Sequence, residues 1–154
     1  MSDDLATFRV ISEILGPAGV TPGDVVRWHR MPNVQSSFRS LKFQGTRYYS
    51  RDSVLELTFI SAFAKVGIRP GIGILHAHDH MELSNLPRLP EWTMFRTGFR
   101  NTLIYADDLN SKAVTEFLTA NPGAAVIIAF RSIVQRIDKL FSNELTDPVE
   151  IVIP

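Results

Sequence analysis

The sequence predicts an α+β fold, mainly α, in two parts: a helical head carrying a two-stranded ribbon, and a small α+β carboxy-terminal module. Three observations predict it. Apolar residues recur at three- and four-residue steps in several windows, short alternating windows flank turn residues, and the run SNLPRLP at 84–90 breaks the pattern between the halves. The expected domains are therefore 1–84 and 91–154.

Leu5, Phe8, Ile11 and Leu15 would line one face of a first helix that Gly16-Pro17 stops. After the turn to Gly19, Thr21 caps a second helix, Pro22 suits its first position, and Val25 and Trp28 point inward together. Met31-Pro32 closes that helix, because a residue before proline is pushed out of the helical region. From Phe38 to Tyr49 the chain alternates and turns at Gln44-Gly45, which predicts a hairpin. Ser50 caps a third helix with Val54, Leu57, Phe59, Ile60, Phe63 and Ala64 on its apolar face, ended by Gly67. A fourth helix starts after Pro70, weakened by Gly71 and Gly73.

In the second half, Thr93 to Ala106 reads as two strands around Thr97-Gly98, and Ser111 to Ala120 as a short helix. Asn121-Pro122-Gly123 then turns the chain into a helix of about 18 residues over 124–141, striped by Val126, Phe130, Ile133, Val134, Ile137, Leu140 and Phe141. That stripe exceeds what so small a module easily buries, which makes this helix the expected dimer interface. The tail DPVEIVIP is β-prone and suits an edge or another chain.

Composition excludes several functions. The 154 residues include 45% hydrophobic and 21% charged, enough apolar material for a core. The absence of cysteine excludes disulfides, thiolate nucleophiles, iron–sulfur clusters and cysteine zinc sites, and fits a reducing cytoplasm. MSDDLATFRV lacks the basic start and apolar run of a secretory signal, and no apolar stretch approaches the roughly 20 residues of a membrane helix. A soluble cytoplasmic protein without membrane contact is expected.

The net charge is zero, yet Arg27, Arg30, Arg39, Lys42, Arg47 and Arg51 fall between Asp24 and Asp52 with no acid among them. Ten bases against sixteen acids remain elsewhere. A phosphate backbone responds to charge within about 8 Å, so a local basic face suffices for DNA. The basic window covers the second helix and the hairpin, the parts a winged helix-turn-helix presents to DNA. Arg27 and Arg30 are candidates for base edges. Arg39, Lys42 and Arg47 are candidates for phosphates, and Tyr48 can offer its hydroxyl there. Thr21 has two possible jobs, helix cap or phosphate contact, with capping preferred. His29 suits a half-buried packing position or a phosphate contact. The bland alternative is a solvated basic surface.

The runs GVTPGDVVRWHR and TRYYSRDSVLELTFISAFAKVGI resemble the MerR-type winged helix-turn-helix, with its Gly-Val-Ser/Thr turn before the reading helix and its Arg-Tyr-Tyr/Phe-Ser strand before the next. The resemblance covers about residues 8–83 and implies a dimeric regulator of transcription on double-stranded DNA, with the reading helix at Thr21 to Arg30 and the wing at Phe38 to Tyr49. The second half departs from that family, since no long dimerisation helix follows directly and metal-sensing cysteines are absent. The head with its compact carboxy module is also similar to VapB-like antitoxins that carry such heads, which implies a toxin bound at the carboxy-terminal module.

Other constellations weigh less. HAHDH at 76–80 places His76 and His80 one helical turn apart, as a metal pair would need, but further ligands have no place in the sequence. The bland reading is a polar helix face near the domain boundary, and the rival function is a metal-dependent enzyme at His76–His80. No Gly-x-Ser-x-Gly elbow or dinucleotide fingerprint exists, and Asp107-Asp108 reads as a turn, so no catalytic residue, cofactor or metal is assigned.

Overall fold

The computed structural model describes residues 5–7, 21–31, 40–96, 103–120 and 125–142. They form an α+β fold, mainly α. The elements run β1 (Leu5–Thr7), α1 (Pro22–Arg30), β2 (Ser40–Phe43), β3 (Thr46–Ser50), α2 (Arg51–Lys65), α3 (Pro70–Leu83), β4 (Trp92–Phe95), β5 (Ile104–Ala106), α4 (Lys112–Ala120), β6 (Val126–Ile128) and α5 (Phe130–Ser142). Two three-stranded antiparallel sheets result, ordered β1-β3-β2 and β5-β4-β6.

The local signals act as read. Thr21 caps α1, Pro22 opens it, and Val25 and Trp28 are both buried beneath it. Gln44 and Gly45 turn the β2–β3 hairpin with φ of 47° and 81°, the left-handed values that a two-residue hairpin turn requires. The Ser50 side chain accepts from the Ser53 amide at the start of α2, and Gly67, with φ 88°, ends the turn beyond it. The two glycines of α3 leave it unbroken. A Cβ on Gly73 would stand 3.7 Å from the Phe63 ring, so this position brings α3 close to α2.

Two expectations of helix are corrected. Leu5–Thr7 is a strand, paired residue for residue with Tyr48 to Ser50. The free edge of β3 supplies hydrogen-bond partners that outweigh a weak local helical preference. The remainder of that expected helix, from Phe8 through Leu15 and the turn to Gly19, lies outside the described residues, as do Phe38, Arg39, Thr97-Gly98, Asn121 to Gly123 and the tail from Asp147.

The second correction is at 124–141. Val126–Ile128 is a strand on β4, opposite Phe95, Met94 and Thr93, and the helix begins only at Phe130. Its three β-branched residues suit a pleat better than a helix.

α2 is the hub. Val54, Leu55, Leu57, Phe59, Ile60 and Phe63 are all fully buried, so apolar contacts surround the helix on most sides. A helix buried all round must be sandwiched. α3 lies on one side of it. α5 lies on another, where Phe59 stacks on Phe130 at 5.7 Å between centroids. Ala64 departs from its expected inward position and is exposed.

The core is continuous across 84–90: one cluster of buried residues runs from Val25 and Trp28 through α2 to Phe95, Ile128, Phe130, Val134, Ile137 and Phe141. Phe130, Val134, Ile137 and Phe141 of the α5 stripe are therefore covered within the chain, which removes the ground for a dimer interface there. The connecting segment is itself pinned. Arg131 donates to the Leu89 carbonyl from Nε at 2.9 Å and Nη2 at 2.6 Å, and Nη2 also meets Asp107 at 2.8 Å. Asp107 in turn accepts from Arg88 and from the Glu91 amide.

Candidate nucleic-acid interface

α1 is held by a reciprocal cap. The Thr21 hydroxyl accepts from the Asp24 amide at 3.2 Å, and Asp24 Oδ2 accepts from the Thr21 amide at 2.9 Å. The same hydroxyl donates to Asp24 Oδ2 at 3.0 Å, so its proton is engaged in the cap. These hydrogen bonds, the Thr21 backbone amide first, hold the Asp24 carboxyl below its usual range.

With Val25 and Trp28 turned into the core, the opposite side of α1 presents Gly23, Val26, Arg27 and Arg30. Their spacing of three, four and seven residues makes one continuous outward face. Val26 is 47% exposed in the middle of it. Arg27 reaches back to Asp24 at 2.7 Å while its side chain remains 69% exposed. Arg30 is exposed with no ion-pair partner among the described residues.

In the hairpin the register sets Lys42 directly opposite Arg47. Only the backbones of Lys42, Arg47 and His29 are described. Tyr48 is half-buried, and Arg39 lies outside the described residues. Arg51 leaves the basic set: its guanidinium makes a two-point contact with Asp138 on α5, through Nε to Oδ1 and Nη2 to Oδ2. That contact raises its pKa.

The histidine cluster is not a polar face. His76 is 5% exposed and His80 0%, enclosed by Phe59, Phe63, Phe95 and Phe130. His80 Nδ1 lies 2.6 Å from the His76 carbonyl, which can only accept, so Nδ1 carries the proton. Nε2 then accepts from the Thr93 hydroxyl at 2.8 Å. Both ring nitrogens are occupied and neither offers a metal a lone pair. Burial pushes the His80 pKa down to about 4, and burial lowers that of His76 as well. Among the described residues no group of three or more His, Cys, Asp or Glu could hold a metal ion.

One buried carboxyl was not singled out from the sequence. Glu56 is 3% exposed on α2; Oε1 faces His78 Nδ1 at 3.3 Å and Oε2 has no hydrogen-bond partner among the described residues. Burial first, then the charge of Asp52, pushes its pKa up to about 7. Its signal was present: Glu56 stands alone between Leu55 and Leu57 in an otherwise apolar run. No family model, curated protein or solved structure matches this chain. Among the described residues no helix is long and apolar enough to cross a membrane.

Proposed function

We propose that the protein is a sequence-specific, double-stranded DNA-binding regulator of transcription, with α1 as reading helix and the β2–β3 hairpin as wing of a MerR-like winged helix-turn-helix. The observation that carries this reading is the outward face of α1. Trp28 and Val25 anchor the helix from below, and Arg30, Arg27 and Val26 stand clear of the surface. Rigid placement of a few donors is what reading base edges in the major groove demands. The opposed Lys42 and Arg47 of the hairpin support phosphate contact beside it. Two such heads on a two-fold axis would match a near-palindromic site.

The roles divide by what each side chain already holds. Arg30, without an ion-pair partner among the described residues, is the guanine reader of choice. Arg27 must first loosen its contact with Asp24, a partly exposed pair worth about 0 to 1 kcal/mol. A selection of bound fragments from genomic DNA gives the site, and titration against it tests the assignment. Arg30→Ala should lose about 1 to 3 kcal/mol on the selected site and little on random DNA. Lys42→Ala should weaken both alike and flatten the salt slope by about one. Unchanged affinity in both variants would remove this function.

A further inference from the structure

We propose that two copies of this chain dock through the outward face of α3, antiparallel about a two-fold axis, with Ile72 of each against Leu75 of the other. The inward side of α3 is accounted for by Gly73, Ile74, His76, Ala77 and His80, which are buried. The outward side is not. Ile72 and Leu75, one turn apart, are each 42% exposed, and Val66 is 58% exposed just before the helix. A Cβ on Gly71 would meet nothing within 4 Å, so this end of the face is open to close approach.

The occupant follows from the charges that flank the apolar pair. Arg69 precedes Ile72 by three residues, and Asp79 follows Leu75 by four, with exposed Glu82 beyond it. No ion pair among the described residues takes up Arg69 or Asp79. A strip that is basic at one end, apolar in the middle and acidic at the other is complementary to itself when reversed. Matching Ile72 to Leu75 of the second copy sets Arg69 within one residue of Asp79 at both ends. A two-fold contact requires this self-complementarity. The acidic end also disfavours DNA and anionic lipid at this face.

The face lies on another helix from the proposed DNA-reading surface: the pairing of two heads rests on a dimer, whereas the reading of one half-site by α1 does not. A single helix pair falls at or below the low end of specific interfaces, about 1,200 Å² in total, so a micromolar Kd is expected.

Sedimentation equilibrium of the full chain between about 5 and 500 µM brackets such a Kd. The wild type should dimerise across that range. Leu75→Glu should weaken dimerisation at least about tenfold, because it puts like charges at the centre of the contact, while the thermal melt stays in place. Arg69→Asp and Asp79→Arg should each weaken it, and an equimolar mixture of the two should regain it, since opposite charges then meet at both ends. The mixture stands even if Leu75→Glu disturbs folding, for Arg69 is exposed and Asp79 only partly buried. A wild type monomeric throughout, a dimer indifferent to Leu75→Glu, or a mixture no tighter than either variant alone would overturn the proposal. A wild-type dimer without DNA affinity would sink only the DNA reading, and a DNA-binding monomer only this one.

Discussion

Glu56→Gln should stabilise the protein more at pH 8 than at pH 5, by about 2 kcal/mol. In the folded chain this carboxyl titrates near 7 rather than 4.5, because α2 and α3 shut it away from water and Asp52 adds repulsion. A raised pKa means that its contribution is fully present below about 4.5 and is lost as the pH rises through about 7. At about 1.4 kcal/mol per pH unit the full effect would be about 3 kcal/mol, and water around the exposed His78 beside it trims this to about 2.

His80 acts with the opposite sign. Its pKa falls from 6.5 to about 4, so its contribution is present above 6.5 and is lost as the pH drops through about 4. Between about 4.5 and 6.5 the unfolded chain takes up a proton at His80 and releases one from Glu56, and the two slopes cancel. The wild type should be nearly flat there, with His76, whose pKa is also lowered, tilting the curve slightly upward with pH. Glu56→Gln removes one side of the balance. Urea denaturation at half-unit steps from pH 5 to 8 should show stability rising with about one proton's slope in its lower half. A difference between variant and wild type that does not change with pH would refute the reasoning.

Two further perturbations test how the fold is held. Thr21→Ala should cost about 1 kcal/mol in urea denaturation, with Thr21→Ser close to neutral, because the hydroxyl serves the cap. Unaltered stability together with lost DNA affinity would instead assign Thr21 to phosphate. Arg131→Ala should cost about 1 to 2 kcal/mol by releasing Leu89 and Asp107, and Arg131→Lys should recover only part, since a lysine lacks the fork that meets both. Equal stability of the lysine variant and the wild type would show that charge alone suffices.

What the sequence by itself determined is what depends on neighbours within a few residues. Thr21, Pro22 and Asp24 spell the start of α1, Gln44-Gly45 the hairpin turn, Ser50 the start of α2 and Gly67 its stop. Each works through a local hydrogen bond or a left-handed φ that no distant residue need supply. The division of α1 into a buried Val25–Trp28 side and an outward Arg27–Arg30 side was legible for the same reason, since helical periodicity fixes it.

Only the tertiary structure decided what depends on residues far apart in the chain. Leu5–Thr7 and Val126–Ile128 became strands because β3 and β4 offered them edges. Arg51 left the basic face for Asp138, 87 residues away. His76 and His80 of HAHDH became core, and α5 turned Phe130, Val134, Ile137 and Phe141 inward, because α2 accepts partners on several sides at once. Periodicity says that a face is apolar, but which surface covers it is set by the packing of the whole chain.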